Sequence, residues 1–212
     1  MSRQAEGQKL EDTQKAERRR RIEAAALEVL AEVGFKKASM LQIAKRAKAS
    51  NETLYAWYGS KQALFASIIE ENSKSLKEAL NDAALDAENP RASLIEIATL
   101  LLAFTATEKA IVVNRAAIAD VSDTGLLAKA IQEHARHPIL ERLTHLMREI
   151  EAVDATGPSL DPATAADAFI SLLLGEIQTQ QALGEVGPLS ESDIALRAET
   201  AVAQFRRLFL EG

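Results

Sequence analysis

The 212-residue sequence has no cysteine, few aromatic residues and few helix breakers. Without cysteine, a disulfide framework, a thiolate nucleophile and a thiolate metal site are all excluded. No apolar run approaches ~20 residues, so we expect no transmembrane helix. The N-terminus is polar and charged, and it lacks the apolar core of a signal peptide. These absences predict a cytoplasmic protein.

The residues that are abundant favour helices. Apolar residues, with Ala and Leu the commonest, make up 47% of the chain, whereas aromatic residues make up only 4%. This composition predicts an all-α protein. The length suits a small module joined to one larger core. Residues 1–16 have almost no apolar content, and we expect them to form a flexible tail.

The spacing of apolar residues and breakers divides the chain into helices. We predict helices at about 17–33, 61–87, 91–107, 108–121, 126–152, 162–183 and 190–210. The helix over 126–152 should bend at His137-Pro138, because proline lacks the amide hydrogen. Residues 154–162, with one glycine and two prolines, are predicted to form a loop.

The segment 39–65 predicts a helix-turn-helix. In its first helix, Leu41, Ile43, Ala44 and Ala47 are spaced for one buried face. After a three-residue break, Ser50 is placed to cap a second helix that turns Leu54 and Tyr58 inward. Polar and aromatic side chains of that helix are left outward, as major-groove binding requires. They are Asn51, Thr53, Tyr55 and Trp57.

Charge is distributed unevenly around this segment. Residues 1–61 hold 13 Lys and Arg against 8 Asp and Glu, a balance of 13 − 8 = +5. Residues 62–212 hold 12 against 23, a balance of 12 − 23 = −11, and the sum is the net charge of −6. A basic segment on an acidic body indicates a local DNA-binding module. The alternative is that the run Arg18–Arg21 is only a solvated charged surface.

Residues 21–65 resemble the DNA-binding domain of the TetR/AcrR transcriptional regulators. The shared pattern has Gly34-Phe35 after an apolar helix, Ile43-Ala44, and Ser50 followed by Thr53-Leu54-Tyr55. It closes with Tyr58, Lys61 and the pair Leu64-Phe65. The resemblance implies a DNA-binding domain over residues 17–64 and a ligand-binding and dimerisation domain over residues 65–212. It also implies a bacterial homodimer.

Three residues depart from the family pattern. Lys48 stands where the family has a glycine in a left-handed turn, at a cost on the order of 1 kcal/mol. Glu52 replaces a small residue, and its carboxylate is repelled by phosphate unless it accepts from a cytosine amine. Tyr58 replaces a phenylalanine, so its hydroxyl needs a partner. These departures leave the operator sequence open.

The resemblance assigns the DNA contacts to the helix-turn-helix. Asn51 is the candidate for a base contact, since its amide can pair with adenine. Lys61 begins the fourth helix, where backbone amides already favour phosphate. The full set of expected DNA contacts is Ser39, Gln42, Arg46, Ser50, Asn51, Thr53, Tyr55, Trp57 and Lys61.

A pocket between the middle helices is expected to bind a small effector that releases the DNA. Its expected lining is Leu101, Phe104, Asn114, Arg115, Ile118, Met147, Phe169, Leu173 and Gln178. The last two helices are expected to form the dimer interface through Leu172, Gly175, Ala198, Val202 and Phe205. The alternative for those two apolar faces is intramolecular core.

An enzyme is the other class that the sequence allows. His134, His137 and His145 have Glu133, Glu141 and Glu149 nearby, but helices rich in glutamate offer such neighbours by chance. No nucleophile elbow, phosphate loop or dinucleotide fingerprint is present. We therefore expect no catalytic site, metal or cofactor. The function predicted is a DNA-binding transcriptional regulator, a repressor that a small-molecule effector releases from a palindromic operator. The alternative is a helical small-molecule-binding or scaffold protein without sequence-specific DNA binding.

Overall fold

The computed structural model describes residues 2–83, 86, 88–153 and 161–209. Every regular element in these ranges is helical, which confirms the all-α prediction. The helices are α1 Ser2–Lys37, α2 Met40–Arg46, α3 Asn51–Tyr58, α4 Lys61–Asp82, α5 Pro90–Thr105, α6 Glu108–Asp120, α7 Leu126–Ile131, α8 His137–Val153, α9 Pro162–Leu174, α10 Ile177–Leu183 and α11 Glu191–Phe209. In this part of the chain none is long and apolar enough to cross a membrane.

The chain folds into two compact units. The first, called the DNA-binding unit below, covers residues 1–68 and 116–128. The second, called the cavity unit, covers residues 69–115 and 129–212. The first unit therefore includes a short segment around the end of α6 and the start of α7, which sequence spacing did not assign to it.

The DNA-binding unit is built around one face of α1. Ile22 and Ala26 are fully buried, and Ala25, Val29 and Leu30 are almost so, as the helical spacing predicts. Gly34 interrupts the helix with φ 73°, a backbone conformation that glycine adopts without steric cost. The chain then turns, so that Phe35 packs edge-to-face on Phe65 of α4 at 5.8 Å.

Two predictions for this unit need correction. The helix that we expected to begin near Glu17 begins at Ser2, because residues 2–16 are mostly good helix formers without proline. Leu41 was assigned to the buried face of α2, yet it is 51% exposed and Met40 is buried instead. Ser39 caps α2, so the helix begins one residue before Leu41 and its inward face contains Met40, Ile43 and Ala44.

The core of the cavity unit lies among α5, α8, α9 and α11. Phe169 of α9 and Phe205 of α11 are fully buried and pack edge-to-face at 5.3 Å. Leu102 of α5 and Leu143 of α8 are equally buried in the same cluster. Burial of such side chains, at roughly 1.5–3 kcal/mol each, is the main stabilising contribution to this unit.

Arginines cap three helix C-termini in the cavity unit. Arg142 donates to the carbonyl oxygens of Leu80 and Ala83 at the end of α4, at 3.0 and 2.9 Å. Arg197 donates to Leu173 and Leu174 at the end of α9, both at 2.6 Å. Guanidinium groups satisfy carbonyl oxygens that have no intrahelical partner and interact favourably with the helix dipole.

Arg115 is the third of these arginines. It donates to Gln181 and Ala182 near the end of α10, at 2.6 and 3.1 Å.

Just before His137-Pro138, where a bend was predicted, the chain forms a π-helical turn. Residues 132–136 form this turn between α7 and α8, and the amide of His137 donates to Gln132 O. The predicted helix over 162–183 is wrong in one respect, because Gly175 with φ 48° and ψ −131° divides it into α9 and α10. Most of the predicted loop, residues 154–160, lies outside the described residues.

Candidate nucleic-acid interface and ligand cavity

The start of α2 is fixed by a capping box. The amide of Gln42 donates to Ser39 Oγ at 3.3 Å, and the amide of Ser39 donates to Gln42 Oε1 at 2.9 Å. The hydroxyl of Ser39 also donates to Gln42 Oε1 at 2.9 Å. Each side chain thus satisfies an amide that has no helical partner.

The turn from α2 to α3 contains the predicted strain. Lys48 has φ 51°, the only positive value among the non-glycine residues of the described chain. Ser50 then caps α3, accepting a 3.0 Å hydrogen bond from the amide of Thr53. The turn and the cap together set the direction in which α3 leaves α2.

Helix α3 has one buried and one exposed face. Leu54 is fully buried, whereas Tyr55 is 51% exposed and Asn51 is exposed as well. Tyr58 is half-buried, and burial raises the pKa of its hydroxyl, with the charge of Glu23 adding to the effect. The outward side chains are therefore available to a ligand outside the chain, as the spacing predicted for Asn51 and Tyr55.

Arg18 of α1 belongs to this surface, although it was not among the expected DNA contacts. Its Nη2 donates to Thr53 Oγ1 at 3.3 Å, and its guanidinium carbon lies 5.7 Å from the centroid of the Trp57 ring. Thr53 Oγ1 is also 2.8 Å from Ser50 Oγ. The signal in the sequence was the run Arg18–Arg21, but nothing in the run distinguishes Arg18 from its neighbours.

The two basic residues among the expected DNA contacts, Arg46 and Lys61, are engaged within the DNA-binding unit. Arg46 forms ion pairs with Glu28 at 3.0 Å and Glu32 at 2.7 Å. These contacts lower the pKa of Glu32, chiefly through the hydrogen bond from Arg46. Because all three side chains are exposed, such pairs contribute little to stability and can be exchanged for other partners.

Lys61 lies at the N-terminus of α4, as expected, but its ammonium group turns back toward the end of α1. It donates to Phe35 O at 2.6 Å and to Ala38 O at 3.1 Å. Burial lowers the pKa of Lys61, and the nearby charges of Asp123 and Asp120 oppose that effect. The group connects the start of α4 to the turn that follows Gly34.

The cavity unit contains a cavity of about 490 Å³ that is partly open to solvent. Among the described residues, α4, α5, α6, α9, α10 and the π-helical turn with its neighbours line it. Five residues expected in the pocket line this cavity: Leu101, Phe104, Asn114, Leu173 and Gln178.

The other four expected pocket residues are not among the lining residues. Met147 and Phe169 are buried in the core, at 4% and 0% exposure. Ile118 is 63% exposed and belongs to the DNA-binding unit. The guanidinium group of Arg115 caps α10 instead. Hydrophobic spacing identifies buried faces, but it does not distinguish a filled core from a cavity.

The lining also includes polar residues that sequence reasoning missed. They are Asn72, Ser73, Ser75, Thr105, Thr107, Lys109, Gln132 and Arg136. Lys109 Nζ donates to Asn72 Oδ1 across the space between α6 and α4. No sequence motif marked these positions, because they come from separate helices that only the fold brings together.

The predicted dimer residues fall into two groups. Ala198, Val202 and Phe205 have no exposed surface in a single chain, so their placement at a partner surface is wrong. They pack on α5 and α9 within the chain. Leu172 is half-buried and Gly175 is exposed, so both remain accessible.

The three histidines do not gather into a cluster with carboxylates. His145 Nδ1 lies 3.2 Å from Glu149 Oε1, one turn along the same helix. In the described ranges, no three His, Asp or Glu side chains are placed to hold a metal ion together.

Comparison with known families identifies the fold. Residues 22–68 match the family model described as bacterial regulatory proteins, tetR family. Residues 92–209, more than half of the chain, match the C-terminal domain of AefR-like transcriptional repressors. The chain belongs to the TetR family. It is a transcription regulator with an N-terminal DNA-binding domain and a C-terminal ligand-binding domain.

Solved TetR-family structures share this fold over almost their whole length. A putative regulator from Mesorhizobium loti is 21% identical, with a TM-score of 0.75 over 92% of this chain and 97% of that one. A regulator from Agrobacterium tumefaciens is 25% identical, with a TM-score of 0.73 over 91% and 94%. The flavonoid-responsive regulator FrrA is 29% identical, with a TM-score of 0.70 over 92% and 98%. No protein of curated function matches the chain in sequence.

Proposed function

We propose that this TetR-family protein is a homodimeric repressor. It binds a palindromic operator through α2 and α3, and a small molecule in the cavity releases it. The observation that supports the proposal best is the surface of α3, where Asn51 and Tyr55 are exposed on the side opposite the buried Leu54. A short helix anchored on one face and polar on the other suits the major groove.

The proposed DNA contacts divide by chemistry. Asn51 reads a base, since a side-chain amide pairs with the N6 and N7 atoms of adenine. Hydrogen-bonding side chains position the module on phosphates or base edges. They are the hydroxyls of Ser39, Ser50, Thr53 and Tyr55, the indole of Trp57 and the amide of Gln42. Arg46 exchanges its exposed ion pairs with Glu28 and Glu32 for phosphate.

Lys61 serves both the fold and the DNA in this proposal. An ammonium group has three donors, and two of them reach Phe35 O and Ala38 O. The third is available to a phosphate at the N-terminus of α4, where backbone amides also favour an anion. Lys61 would thus connect the position of α4 directly to the DNA backbone.

The proposal includes a two-fold dimer, because one helix-turn-helix recognises too few base pairs by itself. A single helix-turn-helix contacts few bases, so specific control needs two half-sites. Leu172 and Gly175 are accessible at the end of α9, and Leu196 of α11 is 66% exposed. Leu196 lies on the face of α11 opposite Phe205, so the pairing surface is the outer face of this helix.

Helix α4 provides the proposed link between ligand and DNA. Its first residue is Lys61, and Ile69, Asn72, Ser73 and Ser75 line the cavity. Twenty-two residues span roughly 33 Å at 1.5 Å per residue, so a small tilt at one end displaces the other. A ligand that fits better with α4 tilted would favour the state that does not bind operator. A coupling of about 1–3 kcal/mol would release DNA by roughly 5- to 150-fold.

Gel-shift titration of the operator region next to the coding gene tests the proposal. Asn51→Ala should relax specificity at one base of each half-site and leave the fold intact. Asn81→Ala, an exposed position of α4, is the matched control and should bind as the parent protein does. A protein that binds no DNA specifically, at low salt or moderate salt, would instead be a small-molecule-binding or scaffold protein.

A further inference from the structure

The charged residues that line the cavity are basic, although the cavity lies in the acidic part of the chain. Lys109 and Arg136 line it, and none of the described lining residues is Asp or Glu. The sequence beyond residue 61 has 12 basic and 23 acidic residues. The acidic neighbours in sequence, Glu108 and Glu133, are not among the lining residues, although they are as exposed as Lys109 and Arg136. Both charged side chains among the described lining residues are therefore cations, and the described carboxylate that pairs with one of them is Asp167, 3.9 Å from Arg136.

The π-helical turn places one of these cations. Gln132, Ala135 and Arg136 all belong to this turn, and all three line the cavity. Widening the helix to hydrogen bonds over five residues costs stability, and such turns recur at functional sites. Gln132 and Arg136, four residues apart, lie on the same side of the helix and both line the cavity.

Arg136 is not committed to a strong partner. Its ion pair within the described residues is a 3.9 Å contact with Asp167, in which both side chains are more than half exposed. Such a pair contributes little to stability. A guanidinium group can instead bind a carboxylate with two parallel hydrogen bonds.

The rest of the lining is aliphatic with a few amides. Among the described lining residues, Phe104 is the sole aromatic, and the apolar surface comes from Ile, Leu, Val and Ala side chains. Few aromatic faces are therefore available for stacking on a flat ring system. The amides of Asn114 and Gln178 form no hydrogen bond with the described part of the chain, so both can orient a ligand.

We propose that the cavity binds an amphipathic carboxylate with an aliphatic body. The carboxylate pairs with Arg136, Lys109 supplies the second positive charge, and the hydrocarbon body lies against Ile69, Leu101 and Leu173. The inference rests on the proposed ligand-binding role of this cavity. It names a class of effector that can be tested with simple probes.

Decanoate and 1-decanol are suitable probes, because they share a hydrocarbon chain and differ in charge. Isothermal titration calorimetry of the full-length protein should show decanoate binding at least about tenfold more tightly, as expected for a charged hydrogen-bonded pair. Equal affinities for the two probes, or no binding of decanoate, would overturn the proposal. Binding of an uncharged flavonoid such as naringenin in place of decanoate would overturn it too.

Two variants test the named cations. Arg136→Gln and Lys109→Gln should each reduce the ratio of decanoate affinity to decanol affinity and leave the affinity for decanol unchanged. If either residue only supported the structure of the cavity, its loss would weaken the binding of both probes. Arg148→Gln, which changes an exposed arginine of α8, should retain the full preference. If both cavity variants kept the preference, the carboxylate would lie elsewhere and the assignment would be wrong.

Separate measurements test the proposed ligand class and the proposed repressor function, so either proposal can be overturned without the other. Operator affinity measured with and without decanoate reports the switch, whereas calorimetry without DNA reports the ligand class. Decanoate that binds through Arg136 but leaves operator affinity unchanged supports the ligand class and removes the proposed release mechanism. Specific operator binding without decanoate binding would overturn the ligand class and leave the proposed DNA-binding function standing.

Discussion

The ammonium group of Lys61 donates to the carbonyl oxygen of Phe35 and lies 4.2 Å from the centroid of the same residue's ring. One side chain thus joins the start of α4 to the turn that ends α1. The sequence predicted only a DNA contact for Lys61, but this residue also connects two helices within the DNA-binding unit.

Lys61→Ala should therefore change two quantities. Loss of two charge-assisted hydrogen bonds at a partly buried site should lower the free energy of unfolding by about 1–2 kcal/mol. Loss of a phosphate contact should weaken binding to all DNA sequences alike and flatten the salt dependence of log K by about one unit. Chemical denaturation and salt titrations measure the two effects. Lys37→Ala, an exposed control, should change stability little; an unchanged salt slope in Lys61→Ala would confine Lys61 to a structural role.

Lys48→Gly should stabilise the protein. The left-handed conformation at φ 51° costs a side chain on the order of 1 kcal/mol, and glycine adopts it without that cost. Denaturant unfolding measures the gain. Lys48→Ala is the matched control, because it removes the charge and keeps the strained Cβ. Equal stability of the two variants would show that the turn is not strained.

Arg18→Ala should weaken operator binding more than Arg20→Ala does. Arg18 is held against Thr53 and Trp57, whereas Arg20 is an exposed neighbour. Trp57 is the one tryptophan of the sequence, so its fluorescence reports this surface directly. Emission should shift when operator is added and also in free Arg18→Ala. An emission spectrum insensitive to both would place Trp57 outside the interface.

Phe205→Ala should destabilise the fold. Because Phe205 is buried within one chain, the substitution does not test the dimer surface. Truncating a fully buried phenylalanine costs roughly 3–5 kcal/mol, and this one packs on Phe169. Thermal or denaturant unfolding checks the loss. Leu208→Ala, at a position 61% exposed on the same helix, should cost far less.

Leu196→Glu should instead yield a folded monomer. The side chain is 66% exposed on the outer face of α11, so a charge there does not disturb the core of the chain. Sedimentation and circular dichroism measure assembly and folding separately. Gln204→Glu adds the same charge at another exposed position of α11 and should leave the dimer intact. A dimer that survives Leu196→Glu would place the pairing surface on another face.

The sequence by itself determined the local features of this protein. The caps at Ser39 and Ser50, the strained Lys48 and the buried face of α1 all follow from interactions within a few residues, or from one helical period. Local rules also explain why the family pattern was recognisable over residues 21–65. These interactions depend on chain neighbours, so a linear pattern is enough to specify them.

Only the tertiary structure decided which buried faces fill a core and which border a cavity. Phe169 and Leu173 lie on the same helix, yet only Leu173 lines the cavity. Likewise, the stripe of Ala198, Val202 and Phe205 could have faced a partner, but α5 and α9 cover it. Lys109 and Arg136 meet at the cavity because separate helices converge there. Hydrophobic periodicity reports that a face is buried, and the partner that buries it is set by long-range packing.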